Sequence, residues 1–237
     1  PTVSLFDEAD TSITREGVNA SISIETSNAA TGVLSGTTLQ QASTTSGVSQ
    51  WDNLIIDKVG TYRFVVNVTD ATGTEVSFIY SKYFNIVSGE VNSLEWNVIP
   101  VGGTGGLALP TQGIVRMLDK GGNVVDNSAS SYQKNILVKL EASKNPIGTD
   151  IIMHTGKATS SGTLGEADFT GEGMSIDIVG SYVMTAMVDS FSVDSPRVNI
   201  TAGPALTMVY STPPAATIYG GSVFPDSSQP VVRLLDA

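Results

Sequence analysis

The sequence contains no cysteine. Disulfides, thiolate metal ligands and a cysteine nucleophile are therefore excluded. It contains a single histidine, His154. One imidazole cannot build a histidine-rich metal site, and no nucleophile motif accompanies it for Ser-His-Asp chemistry. Basic residues are also few: 12 Lys and Arg stand against 23 Asp and Glu, a formal net charge of −11. Nucleic acid and anionic membrane surfaces both require basic patches, so neither is an expected partner. No apolar run approaches the length of a membrane span, and no membrane insertion is expected. No helix-period apolar pattern is sustained, which argues against helical classes. The chain opens at Pro1 directly inside a strand-like pattern, without Met or a leader. It is therefore expected to be a processed product or a window of something longer.

What the sequence does have is turn chemistry and alternation. Gly (24) and Pro (10) are frequent, and a hydrophobic content of 41% is enough for a packed core rather than disorder. Its 237 residues accommodate two domains of ordinary size. One stretch occurs twice. Asp57, Val59, Gly60, Tyr62 and Val68 return 120 positions later as Asp177, Val179, Gly180, Tyr182 and Val188. That period matches one β-sandwich domain. In the first copy Tyr62, Phe64, Val66 and Val68 alternate with Arg63, Val65 and Asn67, the period of a strand with one buried face. Asp57-Lys-Val-Gly60 before it is a turn, and a Tyr just after such a turn suits a tyrosine corner, with its ring inside and its hydroxyl on the turn backbone.

Further strands follow in order. Pro1–Phe6 reads as a first strand, Val18–Glu25 as a second, and Val33–Leu39 as a weak third. Val76–Val87 is expected to be one long closing strand. In the second half, Gln112–Asp119 repeats the opening strand, followed by strands at Ile136–Leu140, Ile151–Met153 and Tyr182–Val188 and a closing strand at Val193–Ile200. A leading segment, Leu94-Glu-Trp96-Asn-Val98 with Pro100 and Gly102–Gly106, has no counterpart ahead of the first repeat. It reads as a strand and a flexible linker; without Lys and a following helix the glycines do not make a phosphate loop. The leading segment returns as Leu206-Thr-Met208-Val-Tyr210 with Pro213-Pro214, and Gln229–Asp236 repeats Gln112–Asp119.

The order Asp119-x-x-Gly122-Asn123-x-Val125, then Gly180-Ser-Tyr182, then a strand ending Asn199-Ile200 resembles tandem immunoglobulin-like repeats, the bacterial Ig-like and filamin-like modules of extracellular stalks and fibres. The first repeat departs from it, with Asp7-Glu-Ala-Asp10 at the Gly-Asn turn. The resemblance implies an all-β fold: two tandem Ig-like β-sandwiches, 1–88 and 89–202, plus a C-terminal strand segment of a third repeat, 203–237. It also implies an extracellular or cell-surface location and a non-enzymatic role.

The distribution of the leading segment suggests a use. A sandwich lacking a strand leaves an open edge and an exposed apolar groove. The spare segment carries Leu206, Met208 and Tyr210 on one face, with Val232 and Leu234 on the following strand. Head-to-tail filling does not close on itself, so self-association would give a filament. The expected function is a structural subunit or repeat unit of an extracellular filament, joined by strand complementation or as a continuous tandem array. The alternative is an adhesin or surface-stalk spacer that binds its ligand elsewhere.

Other candidates carry less. Asp7, Glu8 and Asp10 offer oxygen ligands for Ca2+ near a domain end, although recurrence of the Asp at 119 and 236 fits turn capping better. Asn19-Ala-Ser, Asn67-Val-Thr and Asn199-Ile-Thr are acceptor sequons, each Asn on the polar phase of its strand, and are expected to carry covalent glycans in a glycosylating source. Trp51 and Trp96 sit in alternating patterns and are expected in the core rather than as carbohydrate platforms. No catalytic, cofactor-binding or established metal residue is expected.

Overall fold

A computed structural model describes residues 1–14, 17–27, 30–41, 46–125, 134–157 and 165–236. The fold is all-β, apart, among the described residues, from a 3-10 turn at Asp226–Ser228. Two compact units form: unit 1 is Pro1–Asn92 with Leu118–Val125, and unit 2 is Ser93–Met117 with Asp126–Ala237.

Unit 1 contains β1 (Thr2–Ser4), β2 (Asn19–Thr26), β3 (Leu34–Ser35), β4 (Leu39–Gln41), β5 (Val48–Gln50), β6 (Ile55–Ile56), β7 (Gly60–Thr69), β8 (Glu75–Tyr80) and β9 (Phe84–Ile86). One sheet runs β4-β2-β7-β8, with β9 pairing the start of β7; β1 pairs β5, and β3 pairs β6. Alternation decides the faces. Ala20 opposes Val68 and Ile22 opposes Val66, and these four pack with Leu5, Val18 and Trp51 in the core. Trp51 is thus a core residue, with its Nε1 buried and unpartnered among the described residues.

Unit 2 contains β10 (Ser93–Val98), β11 (Ile114–Leu118), β12 (Asn135–Leu140), β13 (Ile151–Lys157), β14 (Glu166–Asp168), β15 (Gly180–Tyr182), β16 (Met184–Val188), β17 (Phe191–Asp194), β18 (Val198–Ile200), β19 (Thr207–Thr212) and β20 (Val231–Leu235). Its sheets are β13-β12-β16-β17 and β10-β11-β14, with the pairs β15-β18 and β19-β20. Val115 and Met117 on one sheet, and Ile136, Val138, Met184 and Ala186 on the other, are all fully buried.

Both tyrosine corners form. Tyr62 Oη donates to the Lys58 carbonyl at 3.0 Å and Tyr182 Oη to the Ile178 carbonyl at 2.8 Å. Both rings are buried.

The expected strand Val33–Leu39 divides into β3 and β4, and three further expected strands are broken, each by a side chain that takes over backbone bonds. The closing strand of unit 1 divides into β8 and β9 because Ser81 Oγ accepts from the Phe64 N–H and donates to the Lys82 carbonyl. The same device recurs in unit 2, where Ser195 Oγ accepts from the Met184 N–H and donates to the Pro196 carbonyl, separating β17 from β18. The strand after Tyr182 is interrupted at Val183. There the Asn145 side chain accepts from the Val183 N–H at 2.6 Å and donates to its carbonyl at 2.9 Å, standing in for a neighbouring strand.

Because each hydroxyl anchors its turn, Tyr62→Phe and Tyr182→Phe are each expected to cost about 1 kcal/mol and to lower the unfolding midpoint by about 4 °C. A thermal melt followed by circular dichroism checks this; unchanged midpoints would show that the hydroxyls do not hold the turns.

Candidate functional site

The Asp-x-Val-Gly turn in front of Tyr62 is the centre of a polar cluster in unit 1. Val59 N–H donates to Asn123 Oδ1 at 3.1 Å, and Asn123 Nδ2 donates back to the Asp57 carbonyl at 2.7 Å. Lys58 Nζ donates to the Gly121 carbonyl at 2.7 Å. Asn123 is itself held by Asp119, whose Oδ1 also accepts the N–H groups of Gly121 and Asn123. Asp119 Oδ2 accepts the Gly89 N–H at 2.9 Å. Burial alone would raise the Asp119 pKa, but the donors at Gly89, Asn123 and Gly121 outweigh it and hold the carboxyl below its ordinary value.

This Asp turn is a repeated local device. Asp7 Oδ1 accepts the N–H groups of Ala9 and Thr11, and Asp70 Oδ1 those of Thr72 and Thr74. Asp236 Oδ2 accepts the Gly203 N–H at 2.8 Å, as Asp119 does that of Gly89. Among the described residues no group of three or more His, Cys, Asp or Glu side chains could hold a metal ion. Of the Ca2+ candidates, Asp7 is therefore engaged as a turn cap, and Asp10 supplies the left-handed position of the same turn at φ 63°.

Beside the cluster lies a cavity of about 630 Å³, lined by Ile55, Ile56, Asp57, Ile86, Val87 and Asp119 among others. Its apolar walls are open to solvent: Ile55 is 63% and Val87 77% exposed. The position is informative because unit 2 has the same two walls. Met174-Ser-Ile176-Asp177 corresponds to Leu54-Ile-Ile56-Asp57, and Asn199-Ile200-Thr201 to Asn85-Ile86-Val87.

In unit 2 the space between these walls is filled by the segment from Val101 to Leu109. Thr104 bridges Thr201 in parallel and Ala108 bridges Ser175 antiparallel. Gly105 N–H donates to the Thr201 carbonyl, Thr201 N–H to the Gly103 carbonyl, and Leu109 N–H to the Met174 carbonyl, all at 2.8–2.9 Å. Leu109 is buried. The glycines are there for proximity. A Cβ at Gly102 would lie 2.0 Å from the Asn199 carbonyl oxygen, and one at Gly105 2.5 Å from that of Asp177. This corrects the expectation of a flexible linker: the glycine run is a hydrogen-bonded filler segment between the two walls. Sequence reasoning missed it, although Gly105-Gly106-Leu-Ala-Leu-Pro110 recurring as Gly220-Gly221-Ser-Val-Phe-Pro225 was a legible signal.

The structure brings the candidate contact residues together. On the β19–β20 hairpin Met208 opposes Leu234 and Tyr210 opposes Val232, so they share a face, and with Leu206 all five are exposed. Their counterpart Leu94 on β10 is buried, and Trp96 is half-buried. Of the sequon residues, Asn19 and Asn67 are half-buried on β2 and β7, and Asn199 is exposed on β18. His154 is half-buried, 3.3 Å from Glu172 Oε2 and edge-on to Phe169. A second exposed feature lies on unit 1, where Arg63 stacks 3.9 Å over the Tyr80 ring and 5.1 Å from that of Tyr83, with Glu25 as its ion-pair partner.

No protein-family profile and no curated protein matches this chain. Among solved structures, the chain is similar to the structure of surface layer protein SbsC, domains 4–9, with 12% identity over 92% of this chain and a TM-score of 0.30. The chain spans 28% of the length of that structure.

The depressed Asp119 pKa gives the cluster a pH signature. A folded value below the unfolded one contributes stability that is complete above the ordinary aspartate range and is lost as pH falls through the folded value. Asp119→Asn is expected to lower the urea midpoint at neutral pH, with wild type and variant converging in acid. Equal midpoints at neutral pH would show that the carboxylate charge does not hold the cluster.

Proposed function

We propose that the chain is a structural subunit or repeat unit of an extracellular filament, joined head to tail through copies of itself. The observation that carries this reading is the contrast between two equivalent grooves. The one in unit 2 is closed by a leading segment, the one in unit 1 is open, and a further copy of that segment follows β19 with Tyr219 and Val223 nearly fully exposed (87% and 86%). Unsatisfied strand edges flanked by apolar walls are templates for strand addition. A heterologous contact of this kind propagates rather than closes. The acidic surface, with its formal net charge of −11, keeps such a subunit soluble before assembly. In a continuous tandem array the same groove and segment types would meet within one polypeptide. Ca2+ at the Asp7 turn and glycans at Asn19, Asn67 and Asn199 are compatible additions to either form.

The second reading, an adhesin or stalk spacer, draws on the exposed aromatic group of Phe78, Tyr80 and Tyr83 around Arg63.

Electron microscopy of the purified full chain, compared with a chain lacking Ala205–Ala237, tests the filament reading. Uniform filaments that disappear on deletion are the expected result. Separate particles from the intact chain would sink it and leave the spacer reading.

A further inference from the structure

Self-association does not by itself say which residues meet. We infer that the open groove of unit 1 is a docking site for the Tyr219–Pro225 segment of a second copy, laid along Val87 and Ile56 as Thr104–Pro110 is laid along Thr201 and Ile176. This deepens the filament reading and rests on it.

Three observations converge on this pairing. First, the segments match in sequence and backbone. Gly105-Gly106-Leu107-Ala108-Leu109-Pro110 aligns with Gly220-Gly221-Ser222-Val223-Phe224-Pro225, and the second glycine of each pair is left-handed, at φ 75° for Gly106 and φ 82° for Gly221. Second, the first glycine of the second segment has no close neighbour where it stands. A Cβ at Gly220 or Gly221 would meet no atom within 4 Å, whereas one at Gly105 would collide with the Asp177 carbonyl. Glycine carries a backbone-entropy cost wherever it is not needed. Gly221, at φ 82°, serves its own turn, whereas Gly220 becomes necessary once a neighbouring strand approaches as closely as Asp177 approaches Gly105. Third, the groove offers the matching walls. In sequence Val87 corresponds to Thr201, whose N–H and carbonyl clasp Gly103 and Gly105, and Leu54 and Ile56 correspond to Met174 and Ile176, whose carbonyls accept from Leu109 and Gly106.

The occupant is therefore specified down to register. Phe224 takes the place of buried Leu109, where a larger apolar side chain suits a cavity of about 630 Å³. Tyr219 takes the place of Thr104 and lies beside Val87 of the other copy. The β19–β20 face is not needed for this contact, so the inference differs from one in which Leu206, Met208 and Tyr210 enter the groove.

The absence of cysteine makes a clean test possible. Full-length Val87→Cys and Tyr219→Cys chains are mixed under oxidising conditions, where only inter-chain disulfides can join them. Neighbouring strands place Cα atoms within disulfide reach. The expected result is a mixed disulfide as the dominant cross-link, lost when Gly220→Val is added to the Tyr219→Cys chain and unaffected when Met208→Ser is added. Cross-linking of Tyr219→Cys to a control Ser23→Cys chain at the same rate would overturn the inference, as would a mixed disulfide that survives Gly220→Val. Microscopy of the same Gly220→Val chain without cysteine separates the two proposals. Filaments lost with Gly220→Val agree with the docking. Filaments that persist overturn it while leaving the filament reading standing, and a wild-type chain that forms none removes both.

Discussion

The fold rests on the hydrogen-bonding demand of strand edges. Every backbone N–H and carbonyl removed from water needs a partner, and in this chain many of those partners are not regular strands. Tyr62 and Tyr182 hold the carbonyls of Lys58 and Ile178 at the point where a turn enters the sheet. Ser81, Ser195 and Asn145 take over backbone groups where a strand leaves one pairing for another. Asp7, Asp70 and Asp119 collect the N–H groups of the turns they begin. Each is a single polar side chain aimed at main chain, and each keeps an irregularity that would otherwise cost unsatisfied groups.

The glycine run answers the same demand differently. A filler segment between the 174–177 and 199–201 walls must satisfy both edges at once, and those walls stand so close that side chains at 102 and 105 would strike carbonyl oxygens. Glycine is the residue that can lie there. Among the described residues the groove in unit 1, lined by Ile55, Ile56, Ile86 and Val87, has no such filler.

Much of this was legible from residue patterns. The alternation at Ala20, Ile22, Val66 and Val68 told which face is core, because a strand has period two and burial follows it. The Asp-x-Val-Gly-x-Tyr repeat located both corners, since turn chemistry and a following Tyr are local signals. The long closing strands were misread because nothing local distinguishes Ser81 or Ser195 from any other strand serine. Their hydroxyls matter only once the Phe64 and Met184 N–H groups arrive from elsewhere in the chain. Asn145 was invisible for the same reason. The glycine run was read as slack because glycine permits both flexibility and close approach, and the choice depends on what stands opposite.

The amino-acid sequence alone determined the all-β class, the internal repeat, the tyrosine corners and the exclusion of thiol and histidine-cluster chemistry, because period, turn residues and composition are properties of neighbouring positions. Tertiary structure alone decided which groove is filled and which is open, because that depends on carbonyls brought within a few ångströms of residues about 70 to 100 positions away, as Asp177 is to Gly105 and Asn199 to Gly102.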